Sequence, residues 1–188
     1  MSEVYRLDNL KVEVINGKKI VMMAPAYSNH NMVKNNVFHV FKTYLKGNIC
    51  LPFGDGEKVV LEEDGYVIPD FFVLCDRSKY KRGGVYGAPD LVAEVLSPST
   101  GLFDRGVKKD LYQRAGVKEY WIIDPDARSV EIYLLKNNTY VLSSIYRIPA
   151  EYESPEDKVK EPSEFAVGLF PDFIVSLSDI FEHVMDWA

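Results

Sequence analysis

The sequence predicts an α/β domain built on a mixed β-sheet with a helix on each face. Three observations lead there. Short apolar runs separated by turn residues recur from Val12 to Ile148. A helical period interrupts them after Ser28. A second helical period falls between two apolar strand candidates, Leu91 to Leu96 and Glu119 to Asp124, as a crossover connection would.

In chain order, Val12-Glu13-Val14-Ile15 and Lys19-Ile20-Val21-Met22 flank Asn16-Gly17, a pair suited to a tight hairpin turn. Met32, Val33, Asn36, Val37, Val40, Phe41, Tyr44 and Leu45 then recur at helical spacing. The helix is expected over 30–46, capped by Ser28 or Asn29 and stopped before Gly47. Strands follow at Asn48 to Phe53, Lys58 to Leu61 and Asp70 to Cys75, and a Gly-bearing polar loop spans Asp76 to Gly87. Leu91 to Leu96 is a strand ended by Ser97-Pro98-Ser99-Thr100, and Asp104 to Ala115 is a helix ended by Gly116. Glu119 to Asp124, Ser129 to Leu135 and Tyr140 to Ile148 form hairpins around Pro125-Asp126-Ala127 and Asn137-Asn138. Phe165 to Val175 reads as one further strand, and Ser178 caps a last helix, Asp179 to Trp187.

The 188 residues, 47% of them hydrophobic, suffice for one domain over 1–188. Residues 1–27 hold the N-terminal strand pair, and the acidic, proline-bearing stretch 150–164 is an exposed excursion. A net charge of −6 argues against a broad electrostatic footprint for nucleic acid. Lys79, Lys81, Arg82, Arg105, Lys108, Lys109 and Arg114 nevertheless gather in sequence around the candidate site, an expected local reversal of that charge. Cys50 and Cys75 have no metal-ligand spacing and are expected as buried thiols. With no signal-peptide core and no apolar run that would span a bilayer, the expected location is the cytoplasm.

Glu94 carries the functional argument. It interrupts a strand that is otherwise apolar, where an ionised carboxylate costs several kcal/mol unless a metal or cation neutralises it. Asp90 lies four residues away on the same strand, about 13 Å at about 3.3 Å per residue, too far to share a metal. Asp126 belongs to a turn, and Asp172 lies far from the core elements. Asp70 opens a separate strand and is the carboxylate able to face Glu94 across the sheet.

Position 96 shares the Glu94 face but is leucine, so a cation must come from another element. On a helical wheel with Val107 at zero, Leu111 falls near 40°, Ala115 near 80° and Tyr112 near 140°. Lys108, at about 100°, points into this apolar arc, and Lys109, at about 200°, points away. Asp104, near 60°, is also inward, though a helix cap accounts for it equally. The plainer reading of Lys108 and Glu94 is a buried ion pair that only fixes packing. Tyr112 is a buttress for Lys108 or a core aromatic. His30 is a residue approaching the site or an ordinary polar residue at a helix start. The Ser97–Thr100 segment offers a phosphate its hydroxyls and N–H groups, or simply terminates the strand.

The strings Ile68-Pro69-Asp70, Gly87-Ala88-Pro89-Asp90-Leu91-Val92-Ala93-Glu94-Val95-Leu96-Ser97-Pro98-Ser99-Thr100 and Gly116-Val117-Lys118-Glu119-Tyr120-Trp121-Ile122-Ile123-Asp124-Pro125, with Asp104, Lys108 and Tyr112 between, resemble the Uma-two family. That family belongs to the restriction-endonuclease-like PD-(D/E)xK group, and the resemblance covers nearly the whole chain. It implies a restriction endonuclease-like core, with Asp70 and Glu94 as ligands of Mg²⁺ or Mn²⁺ and the carbonyl of Val95 as a third. The lysine stands on the helix, here Lys108, and Asp104, Tyr112 and His30 are auxiliary candidates. Many relatives carry an acidic residue just before that lysine, where this chain has Val107. The implied activity is phosphodiester hydrolysis, in DNA rather than RNA, by a homodimer. The competing expectations are a catalytically silent binding or assembly module on the same fold, and a hydrolase of smaller phosphoesters.

Overall fold

A computed structural model describes residues 11–22, 28–63, 65–98, 100–149 and 162–186. The expected 150–164 excursion lies mostly outside these residues, as do residues 1–10, Ser99 and Trp187. The architecture is mixed α/β, with two six-stranded sheets and a separate hairpin where one sheet was expected.

The N-terminal hairpin forms as its turn chemistry dictates. β1 (Lys11–Ile15) pairs antiparallel with β2 (Lys18–Met22), and Asn16 and Gly17 supply the two positive φ angles, 50° and 71°. It joins β4 (Val59–Glu62), β5 (Gly65–Val67), β7 (Tyr80–Lys81) and β8 (Gly84–Tyr86) in a sheet of order β2-β1-β5-β4-β8-β7. The stretch read as a loop after Asp76 thus contains a short 3-10 turn (Arg77–Lys79) and two strands. The φ of +130° at Gly84 and a Cβ position only 2.4 Å from the Lys58 carbonyl oxygen mean only glycine fits where β8 meets β4.

The second sheet has order β12-β11-β10-β9-β6-β3: β12 (Thr139–Arg147), β11 (Ser129–Lys136), β10 (Glu119–Asp124), β9 (Leu91–Val95), β6 (Phe71–Leu74) and β3 (Leu51–Gly54). Only the β9–β10 pairing is parallel within it, as the helical crossover between those strands requires. Alternation divides β9 between two cores. Leu91, Ala93 and Val95 face α1 (Ser28–Tyr44), with its Val33, Val37 and Phe41. Val92 and Leu96 face the other sheet and α3 (Lys109–Ala115), with its Leu111 and Tyr112. The expected helix on each face is therefore present. α1 starts two residues earlier than expected, and Asn29 is no cap: it exchanges hydrogen bonds with the backbone of Met185.

The expected strand Phe165 to Val175 is a hairpin, β13 (Glu164–Val167) and β14 (Phe170–Ser176). Buried Glu119 fastens it to the main sheet. Its side chain accepts from the Trp121 indole at 2.8 Å and from the backbone N–H groups of Gly168 at 3.2 Å and Leu169 at 2.8 Å. Burial pushes the Glu119 carboxyl pKa up. A Cβ at position 168 would stand 2.9 Å from Glu119 Oε2, so a larger residue there would push against this clasp. The final helix, α4 (Leu177–Ile180), is shorter than expected. Among the described residues, no helix is long and apolar enough to cross a membrane.

Cys50 and Cys75 are not free thiols: they form a disulfide. The register explains it, because Leu51 pairs with Leu74 and the two cysteines stand one step further along the same antiparallel pair. The bond closes a loop of 25 residues' separation. On loop closure alone, Cys50→Ser with Cys75→Ser should lower stability by about 3.5 kcal/mol, read from urea unfolding without reductant.

Candidate functional site

Asp70 and Glu94 face each other. Phe71 pairs with Ala93 in the antiparallel β6–β9 ladder, so Asp70 stands opposite Glu94 one step further on. The backbone ties them reciprocally. The Asp70 N–H donates to Glu94 Oε2 at 3.3 Å, and the Val95 N–H donates to Asp70 Oδ2 at 3.0 Å. Asp90 sits apart, accepting from the Cys75 N–H and from Lys118.

The helical crossover supplies Lys108, through an irregularity the wheel did not contain. Residues 101–115 run through α2 (Gly101–Phe103), a π turn (Asp104–Lys108) and α3. The wider π turn accommodates an extra residue, so the apolar arc does not run through Val107, which is 41% exposed. Lys108 is 2% exposed, as the wheel required, and its Nζ lies 3.1 Å from Glu94 Oε1. Asp104 is not a cap: it is buried inside the helical run, 3.7 Å from Lys108 Nζ. Tyr112 is buried and donates to Glu94 Oε1 at 2.6 Å. Lys109 points away but is only half-exposed, its Nζ 3.7 Å from the Tyr133 ring centroid.

Two members were not anticipated. Glu13, on β1, is wholly buried; its Oε1 accepts from Lys108 at 3.1 Å and from the Ile68 N–H at 2.9 Å. Its Oε2 is the one buried side-chain polar atom among the described residues with no hydrogen-bond partner. Lys11, two residues earlier on the same face, reaches Asp70 Oδ1 at 3.5 Å and Asp55 at 3.1 Å. The signal for both was the pleat: Lys11 and Glu13 share the face of buried Ile15.

His30 does reach the site, its Nε2 3.1 Å from Asp70 Oδ2. One helical turn on, Lys34 lies 4.0 Å from Asp70 Oδ1 and 2.8 Å from Asp55. Of the basic residues grouped around the site in sequence, only Lys108 enters it. Arg105 pairs with Glu131 and Asp124, Arg114 with Glu62, and Lys79 donates to the Ala88 carbonyl. Ser97 and Thr100 hydroxyls bond each other at 3.0 Å.

The electrostatics separate the two central carboxylates. Burial opposes ionisation of Asp70, but the His30 hydrogen bond and the Lys11 charge outweigh it and hold its pKa well below the ordinary range. Burial pushes Glu94 up to about 8, with the Asp70, Asp104 and Glu13 charges adding and Lys108 opposing. Burial also disfavours the Lys108 ammonium, yet Glu94, Glu13 and Asp104 outweigh that and drive its pKa upward.

The Uma-two (Uma2) family profile, described as "Putative restriction endonuclease", matches residues 1–169. The chain belongs to the Uma2 family. Two Synechocystis sp. (strain ATCC 27184 / PCC 6803 / Kazusa) proteins are 30% identical to it. "Uncharacterized protein slr1290" matches over 125 residues, 65% of each chain. "Uncharacterized protein sll1609" matches over 127 residues, 65% of this chain and 71% of its own. A crystal structure titled as a putative nuclease belonging to DUF820, from Anabaena variabilis ATCC 29413, superposes with a TM-score of 0.69. It is 22% identical and the match covers 93% of this chain and 91% of that one, which establishes a shared fold.

In this Uma2 protein Glu94 titrates above its ordinary 4.5, so folding favours its protonated form. That contribution is complete below about pH 4.5 and disappears as pH rises through about 8. In metal-free buffer, chemical unfolding should show stability falling from pH 5 to pH 9 for this reason. Glu94→Gln should flatten the slope without abolishing it, since Asp104 and Glu119 are shifted in the same direction.

Proposed function

We propose that this chain is a divalent-metal-dependent nuclease that hydrolyses phosphodiester bonds in DNA. The observation that carries the reading is the meeting of Asp70, Glu94 and Lys108, from two strands and a helix, in one buried cluster.

The donor set fits a hard cation. Among the described residues, no three His, Cys, Asp or Glu side chains form a ready-made metal cage. Magnesium sites commonly use one or two carboxylates and fill the remaining positions with water and substrate phosphate, which a pair such as Asp70 and Glu94 allows. Three buried carboxylates, Glu13, Glu94 and Asp104, surround the one buried ammonium of Lys108, Asp70 beside them is met by Lys11 and His30, and one Glu13 oxygen lacks a partner. That excess of negative charge favours a cation. Asp70 and Glu94 would hold Mg²⁺ or Mn²⁺, with the Val95 carbonyl as a further donor. When bound, the ion supplies Lewis-acid polarisation of a phosphodiester oxygen and lowers the pKa of a coordinated water.

The chain's own groups divide the remaining work. Asp70 is held ionised by His30 and Lys11, so it binds without giving up a proton. Glu94 must lose its proton, and Tyr112 and Lys108 fix its Oε1. Lys108 carries the positive charge that neutralises the phosphoryl group as negative charge accumulates. Two copies related by a two-fold axis would each cut one strand of a duplex.

The competing reading, a binding or assembly module without catalysis, is favoured by one feature. Glu94 and Lys108 are only 1% and 2% exposed, and their ion pairs already satisfy each other. Calorimetry separates the two. The folded wild type should bind Mn²⁺, Asp70→Asn and Glu94→Gln should not, and Lys108→Met should still bind while failing to nick supercoiled DNA. A folded wild type that takes up no Mn²⁺, with or without DNA, would falsify the nuclease reading.

Lys108→Met should also be costly for the metal-free fold. It leaves buried carboxylates uncompensated, at about 3–5 kcal/mol. Saturating Mn²⁺ should return part of that loss as a rise in melting temperature.

A further inference from the structure

We infer that α1 carries a track for the sugar-phosphate backbone, leading from Asp70 to a basic cavity at the other end of the helix. The inference rests on the nuclease reading and extends it to the substrate's path.

The first observation is charge segregation. Residues 28–54 contain three lysines and two histidines but no Asp or Glu, in a chain whose 28 acidic residues would place about four there. The second is register. His30, Lys34, Phe38 and Lys42 follow one another at intervals of four, and Lys46 continues the series in the turn after α1. Such neighbours have Cβ atoms about 5–6 Å apart, so they form one continuous row. The row begins at the site, with His30 against Asp70 and Lys34 held between Asp55 at 2.8 Å and Asp70 at 4.0 Å, so the row's unpaired charge lies further along, at Lys42 and Lys46. It becomes exposed further on: His30 and Lys34 are partly covered, while Lys42 and Lys46 are exposed.

The third observation is a place for the row to end. Lys42, Lys46 and His39, with Arg77 from the neighbouring loop, line a cavity of about 710 Å³. Arg77 is fixed there by donating to the carbonyls of Ile49 at 2.7 Å and Asn48 at 2.9 Å. No carboxylate of the described residues lies within ion-pair distance of Lys42, Lys46 or Arg77. Phe38 occupies the middle of the row, with Lys42 Nζ 5.9 Å from its ring centroid.

The dimensions suit a nucleic-acid strand. Twelve residues of helix from His30 to Lys42 span about 18 Å at about 1.5 Å per residue. At about 3.4 Å per strand charge, that is about five nucleotides of a duplex strand. A protein of net charge −6 would then bind a polyanion through one local stripe.

Binding of a short fluorescein-labelled DNA duplex in EDTA, across a series of salt concentrations, tests the track. Against the wild type, Lys42→Gln with Lys46→Gln should weaken binding about tenfold and reduce the slope of log K against log[salt] by about two. Calorimetric Mn²⁺ affinity should stay unchanged. Lys18→Gln with Lys19→Gln, a pair of exposed lysines on β2, should match the wild type in both assays. If the Lys42/Lys46 variant binds like the wild type, or the Lys18/Lys19 variant loses as much, the track is overturned and the nuclease reading stands. Wild-type protein that binds no duplex in EDTA overturns the track alone. So does retention on anionic phospholipid vesicles in preference to DNA.

Discussion

Lys108 is the one buried cation among the described residues, and much of the molecule is arranged around it. A lone ammonium in an apolar interior is not tolerated; here Glu13, Glu94 and Asp104 lie within 3.7 Å of it. These partners come from different layers. Glu13 belongs to the first sheet, Glu94 to the centre of the second, and Asp104 to the π turn between them. The ion cluster therefore fixes how the two sheets and the crossover helix meet, a relation apolar contact alone leaves less sharply specified. Residue for residue the arrangement is overloaded with negative charge. That imbalance is the ground on which the nuclease reading treats it as a reaction centre.

Much of this was legible in the sequence, and the reasons are particular. Glu94 stood out because its neighbours leave no doubt that the strand is buried. Asp70 followed from the distance argument that removed Asp90. Lys108 followed from the wheel even though the wheel's origin, Val107, turned out to be exposed, because the π turn altered the phase at Val107 and kept Lys108 inward. Glu13 was hidden for the opposite reason to Glu94. In a short alternating hairpin a glutamate looks like the solvent face, and only the first sheet's position over the crossover helix buries it. The disulfide had no local signal, since it depends on which strand lies beside which and in what register. The grouping of basic residues near the site in sequence was misleading because the helical run from Arg105 to Arg114 spreads its members around its circumference and Lys79, Lys81 and Arg82 lie in and around β7, whereas Lys11 and Lys34 arrive from distant segments.

The same contrast separates the two ends of the domain. Near the site, specificity comes from charge: few groups, each with several partners. Around α1 it comes from shape. Phe41 meets Phe71, Trp121 and Phe173 with ring centroids 4.8–5.5 Å apart, and Tyr44 stacks on Phe173 at 3.9 Å. Asn29 and Asn36 then bind the backbone of the chain's last described turns.

The hairpin held by Glu119 has a practical consequence for anyone dividing the chain. The stretch recognisable as Uma2 stops at residue 169, just after the Gly168 and Leu169 N–H groups that occupy Glu119. A fragment cut there would keep the clasp and discard what the clasp secures: Phe173, Val175, Leu177 and Ile180, which roof the inner face of α1. The recognisable sequence and the packed core thus have different boundaries, and the core runs on past α4 to Phe181 and Val184.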